Sequence, residues 1–269
     1  VFKNNKKTAF GLIAVLAFAI ILFSALASAP RADSKADAAK TAATGQVDKE
    51  IDKAQVESII KDYLMAHPDV IVDALNAYQN NQQQAEADNF TKALAEHHDD
   101  VFSSSAPTAG NPNGDVTVVE FFDYNCGYCK HAISDVQQLV KNDKNVKVIF
   151  HDLPILAPSS ELAARWALAA GKQGKYWEYH QALMNFSGGK SEDTLAQLGQ
   201  QLNLDVDKMR KDASSDEISK QLADNAKLAQ ELGIHGTPAF LINDFFAPGY
   251  MGYDNMVETV KAQRAAKKG

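Results

Sequence analysis

The sequence predicts an α/β protein in which a small sheet carries helices on its faces, preceded by a helical segment. Three observations carry this. Strand-like runs at 116–122, 147–154 and 237–243 alternate with helical stretches in the order β-α-β, helices, β-β-α. The first run, VTVVEFF, is apolar on both of its alternating faces, as in a central strand covered on both sides. Upstream, residues 48–100 keep the apolar period of a helix.

Residues 1–29 have the form of an export signal. Lys3, Lys6 and Lys7 precede a mostly apolar run from Ala9 to Ala29 that closes on small residues. The alternative is an uncleaved membrane anchor, because the run is about as long as the ~20 residues a spanning helix needs. Either way the rest of the chain is expected outside the cytoplasm, periplasmic and possibly envelope-associated, where a cysteine pair persists oxidised. Residues 30–47, small and polar, read as a tether.

Residues 48–102 read as a helical oligomerisation region. Val56, Ile59, Ile60, Tyr63 and Leu64 form one apolar stripe, and Val70, Ile71, Ala74, Leu75 and Tyr78 form another. His67-Pro68 separates them, since the residue before proline avoids the α region and proline suits a first helical turn. These stripes need a surface to cover, either the chain's own downstream domain or a second copy. A homodimer through residues 51–78 is the favoured reading, because amphipathic helices of this kind make coiled-coil-like seams.

Residues 103–115, rich in Ser, Pro, Gly and Asn, read as a linker. Residues 116–269 are then the catalytic domain: strand 116–122, a helix over about 126–142, strand 147–154 and a helical insertion over about 159–233. Strand 237–243, a fourth strand in FFAPGY and a closing helix over 254–267 complete it. With a formal charge of −7, the chain carries no electrostatic footprint for nucleic acid.

The chemistry is concentrated in TVVEFFDYNCGYCK, which holds the chain's two cysteines, Cys126 and Cys129. Cys126 opens a helix, where free backbone N–H groups and the macrodipole favour a thiolate. The thiolate is the nucleophile. The dipole supplies at most ~2 kcal/mol, so hydrogen bonds from the Tyr128 and Cys129 N–H groups and from the Cys129 thiol are expected to add to it. Cys129, one turn in, is expected to be the resolving thiol. Glu120, in the middle of an apolar strand, is either buried or at a strand end reaching water. Buried, it is costly unless protonated or partnered, and its place beneath the helix start suits it to take or return the resolving proton.

Other readings of the cysteine pair fit less well. A zinc site needs four ligands, and only His131 sits nearby in sequence. Haem attachment calls for a histidine where Lys130 stands. A passive disulfide across two residues closes too small a loop to restrain much. GGKS at 188–191 resembles the end of a phosphate loop, but the earlier glycine is replaced by Met184. His97-His98-Asp99-Asp100 reads as a helix end rather than a metal site. No cofactor and no metal are required.

VVEFFDYNCGYC, the later GTPAF and the helical insertion between them resemble the DsbA-like thiol:disulfide interchange proteins, over about 105–269. The resemblance implies a thioredoxin-like fold with a DsbA-type helical insertion. It makes Pro238 a cis-proline facing the cysteine pair, with Thr237 offering its backbone to substrate; without it, Pro238 reads as a trans proline opening a strand. DsbA has Pro-His between its cysteines, whereas Gly127 and Tyr128 stand here, as in the DsbC isomerases, which also share the threonine before proline. Losing that histidine implies a milder oxidant. His235, three residues before Pro238, is either near the sulfurs as a partial substitute or, as the favoured reading, a surface loop residue. Exported DsbA-like proteins of the ScsC type and DsbC are oligomers with paired active sites.

The reading is thus an exported thiol:disulfide oxidoreductase that forms, and isomerises or reduces, disulfides in secreted or periplasmic proteins. Its expected partners are unfolded or misoxidised exported proteins and a DsbB- or DsbD-like membrane redox partner. The alternatives are a pure oxidase recharged by a membrane partner, or an envelope protein that is structural or binds copper(I) through soft thiolates.

Overall fold

A computed structural model describes residues 52–267; the expected signal, the tether and the start of the helical region lie outside the described residues. The chain divides into two units, one ending at Tyr63 and one running from Leu64 to Gly269. Helix α1 spans Lys53–Ala66 and α2 spans Asp69–Glu96, with His67-Pro68 between them as the sequence predicts. In the first unit Val56, Ile59, Ile60 and Tyr63 are exposed. In the second, Val70, Ile71, Leu75 and Tyr78 are exposed as well, so the first turns of α2 cover nothing within that unit. Among the described residues no helix is long and apolar enough to cross a membrane.

The sheet has five strands in the order β1-β3-β2-β4-β5. They are β1 Thr108–Gly110, β2 Val116–Phe122, β3 Val146–Asp152, β4 Ala239–Ile242 and β5 Phe245–Ala247. The central strand β2 runs parallel to β3 and antiparallel to β4. The β2–β3 crossover is α4, Gly127–Asn142, whose apolar residues Ala132, Ile133, Val136 and Leu139 are buried. Five helices form the insertion: α5 Pro158–Gly171, α6 Tyr176–Asn185, α7 Glu192–Gln201, α8 Val206–Ala213 and α9 Asp216–Glu231. Their starts follow local chemistry. Pro158 stands in the first turn of α5, Ser191 closes a capping box with Thr194, and Asp205 and Ser215 cap α8 and α9. Helix α10, Tyr253–Ala266, closes the chain.

Alternation along β2 sends Val116, Val118 and Phe122 into one core, with α4, α5 and α6, and Val119 and Phe121 into another. The second core corrects the expected domain boundary. Phe90 and Leu94 of α2 and Val101 of α3 (His98–Val101) are buried there against Val119, Phe121 and Ile149. The sheet needs a cover on that face, so the end of the N-terminal helical region is part of the sheet domain. His151 on β3 reinforces the join, with Nε2 2.9 Å from the Val101 carbonyl oxygen.

The expected linker 103–115 also contains β1, which pairs antiparallel with β3. Three residues carry no readable alternation, and the strand exists because β3 offers an open edge. At its end Gly110 has φ +78°, and a Cβ there would lie 2.5 Å from the Val146 carbonyl oxygen, so glycine is required.

Candidate active site

The site is built where β2 ends, α4 begins and the loop into β4 returns. Cys126 is the residue flanking α4, with extended backbone, and Cys129 lies in the first turn. Both are buried and unbridged, Cys129 completely so. The Cys126 thiol donates to the Thr237 carbonyl oxygen at 3.1 Å. It makes no cap bond to the helix N–H groups, contrary to the expectation for Tyr128 and Cys129. The sulfur lies instead against the loop that enters β4.

The Thr237–Pro238 peptide bond is cis, as the resemblance implied, and Pro238 is buried. Gly127 and Tyr128 are exposed at the tip, with Tyr128 64% accessible. His235 is exposed in its loop.

Glu120 is buried, not at a ragged end. Its sheet neighbours are Phe150 on β3 and Phe240 on β4, which explains why Oε2 finds no hydrogen-bond partner. Burial, helped by the charge of Cys126, pushes its carboxyl up to about 8. Burial also drives the Cys129 thiol far above its ordinary range, with the Glu120 charge as the next cause. A protonated carboxyl and a protonated inner thiol therefore lie near the outer sulfur of Cys126, which is itself 7% exposed. The arrangement suits nucleophilic attack by Cys126 and proton transfer between Glu120 and Cys129.

Several residues of the site escaped the sequence reading. Asp123 is buried, and its carboxylate accepts from the N–H groups of Asn125, Ile155 and Leu156 at 2.7, 2.9 and 3.0 Å. It thereby holds the loop bearing the exposed Ile155 and Leu156 beside the strand that leads to Cys126. Tyr250 stacks on Tyr128 with ring centroids 6.3 Å apart and donates to Asp135 at 2.7 Å. Tyr124 bonds His180 in a buried aromatic cluster, where burial lowers the imidazole to about 3. Asp123-Tyr124-Asn125 directly precedes Cys126, and that adjacency was the available signal; Tyr250 had none.

The family model for the DSBA-like thioredoxin domain matches residues 117–261. The chain belongs to this family. Residues 52–85 match a second model, the copper resistance protein ScsC N-terminal domain. Among solved structures, a thioredoxin-like oxidoreductase from Silicibacter pomeroyi DSS-3 is 42% identical, with a TM-score of 0.60, covering 62% of this chain and 97% of that one. ScsC of Proteus mirabilis in a compact conformation is 28% identical with a TM-score of 0.60, covering 81% of this chain and all of that one. The first curated relative is the Na(+)/H(+) antiporter NhaA 1 of Salinispora arenicola, 32% identical over 130 residues. The match covers 48% of this chain and only 20% of the antiporter's length. The shared part of the DsbA-like family is thus a module that also occurs within longer proteins.

Proposed function

We propose that the chain is an exported thiol:disulfide oxidoreductase acting through Cys126 and Cys129. The observation that carries this is Cys126 at the mouth of α4, bonded to Thr237 beside the cis-proline and above the buried Glu120. The Cys126 thiolate attacks a client disulfide and forms a mixed disulfide while the client's leaving sulfur takes a proton. Once Glu120 has released its own proton, which a value of about 8 allows near neutral pH, its carboxylate takes the proton of Cys129. The Cys129 sulfur then attacks the Cys126 sulfur, the Cys126–client bond breaks, and the client's second sulfur leaves and takes a proton from water. The reverse sequence oxidises a client dithiol. Gly127-Tyr128 and Thr237 favour isomerisation or reduction alongside oxidation, with a DsbB- or DsbD-like membrane partner resetting the pair.

Self-association as a homodimer is carried by the exposed apolar residues within 51–78, which would set two sites toward one client. Export to the periplasm accords with the relative from Salmonella enterica serovar Typhimurium described as a periplasmic thioredoxin-like protein. The test is reduction of insulin and repair of scrambled disulfides by the full chain, with Cys126→Ser inactive in both. Wild-type protein unable to cycle would refute the reading. A second reading, copper(I) binding by the two thiolates, is favoured by the description of the model matching 52–85. Copper titration of wild type against Cys126→Ser separates the two.

A further inference from the structure

Lys190 stands in the loop between α6 and α7, next to the cap residue Ser191, far in sequence from the cysteines. It is nevertheless buried. Its ammonium donates to Asn125 Oδ1 at 3.0 Å. Asn125 immediately precedes Cys126, and its own Nδ2 donates to Ser159 Oγ at 2.9 Å and Ser160 Oγ at 2.8 Å. One amide therefore joins the insertion, the start of α5 and the nucleophile's loop.

The charge around this join is unbalanced. Among the described residues no carboxylate forms an ion pair with Lys190. The nearby Asp123 spends its two oxygens on the three N–H groups of Asn125, Ile155 and Leu156. Lys130, one turn into α4, adds a second cation and donates to the Phe186 carbonyl oxygen at 3.2 Å. Burial, and then Lys130, hold the Lys190 ammonium below its usual range. Glu120 and Cys129, the other titratable groups of the site, favour their neutral forms. The Asp123 charge favours the Lys190 ammonium but faces two cations, Lys190 and Lys130, so the balance here is positive. In the disulfide state the site offers the ammonium no anion beyond Asp123. In the dithiol state it offers the Cys126 thiolate.

We propose that Lys190 is a positioning residue for the cysteine pair: through Asn125 it holds the nucleophile's loop, and its positive charge weights the redox equilibrium toward the dithiol. This rests on the redox reading above. The effect is electrostatic, so it belongs to one redox state and not to the fold as a whole. No group is transferred to or from Lys190.

The test is the glutathione redox equilibrium of the full chain, with thermal unfolding of the oxidised and reduced forms. Lys190→Gln keeps a donor for Asn125 without the charge, Lys190→Met removes both, and Lys190→Arg keeps the charge. Both neutral variants are expected to shift the equilibrium toward the disulfide by about tenfold, equivalent to about 30 mV, and Lys190→Arg by no more than about twofold. Lys190→Met loses the bond to Asn125 in both redox states, and its reduced form should lose more stability than its oxidised form, because only there is the thiolate's partner charge also lost. A wild-type equilibrium in both neutral variants overturns the proposal. So does an equal loss of stability in both redox states, which marks a structural tether only. Failure of the wild type itself to equilibrate with glutathione is a separate result that removes the redox reading first.

Discussion

The Cys126 thiol hydrogen-bonds the Thr237 carbonyl oxygen at 3.1 Å, across 111 residues of sequence. The contact joins the nucleophile's helix to the loop that enters β4. It sets the Thr237 backbone directly beside the Cys126 sulfur.

Glu120 makes folding stability depend on pH. Its folded value of about 8 lies above the ordinary 4.5. Between these values the folded chain holds a proton that the unfolded chain releases. The contribution is complete below the lower value and is lost as pH rises through the upper one, at up to about 1.4 kcal/mol per pH unit. Asp152, also buried and raised to about 8, acts in the same direction. Glu120→Gln is expected to remove one share of the slope measured by denaturant unfolding between about pH 5 and pH 8, and to slow release of the client. An unchanged slope would show that Glu120 does not carry a buried proton.

The end of α2 is predicted to be indispensable to the sheet domain. Phe90 and Leu94 are buried against Val119 and Phe121, and Phe90 stacks on Phe246 with centroids 4.1 Å apart. Phe90→Ala should cost about 3–5 kcal/mol and Leu94→Ala about 2–5 kcal/mol in denaturant unfolding. A loss below about 1 kcal/mol in both would mean that the helix is only an appendage.

The start of α2 should behave in the opposite way. Ile71 and Leu75 are 46% and 56% exposed and touch no core. Ile71→Glu with Leu75→Glu is expected to leave the unfolding midpoint of the domain nearly unchanged, within about 0.5 kcal/mol. It should convert the protein to monomers in light scattering and reduce repair of scrambled disulfides more than insulin reduction. An unchanged mass would refute self-association through this face.

What could be read from the sequence follows from how far each signal reaches. The strand VTVVEFF, the Cys126–Cys129 helix and the His67-Pro68 break are local patterns, and they stand where the pattern puts them. The burial of Glu120 was legible because its neighbours on both faces are apolar. The three-residue β1 was not, since it is held by pairing with β3 and not by any alternation of its own. The placement of Phe90 and Leu94 was hidden for a related reason: a helix stripe announces that it is covered, not by what. Lys190 and Tyr250 reach the site only through tertiary contacts, and a glycine-flanked lysine reads as a loop until its partner Asn125 is known.

The most direct test of the account is trapping the covalent intermediate with a client disulfide. Cys129→Ser should accumulate a mixed disulfide through Cys126, because attack proceeds and resolution cannot. Cys126→Ser should trap none, because Cys129 is fully buried and its thiol holds its proton. Equal trapping by both variants, or by neither, would contradict the division of labour proposed for the two cysteines.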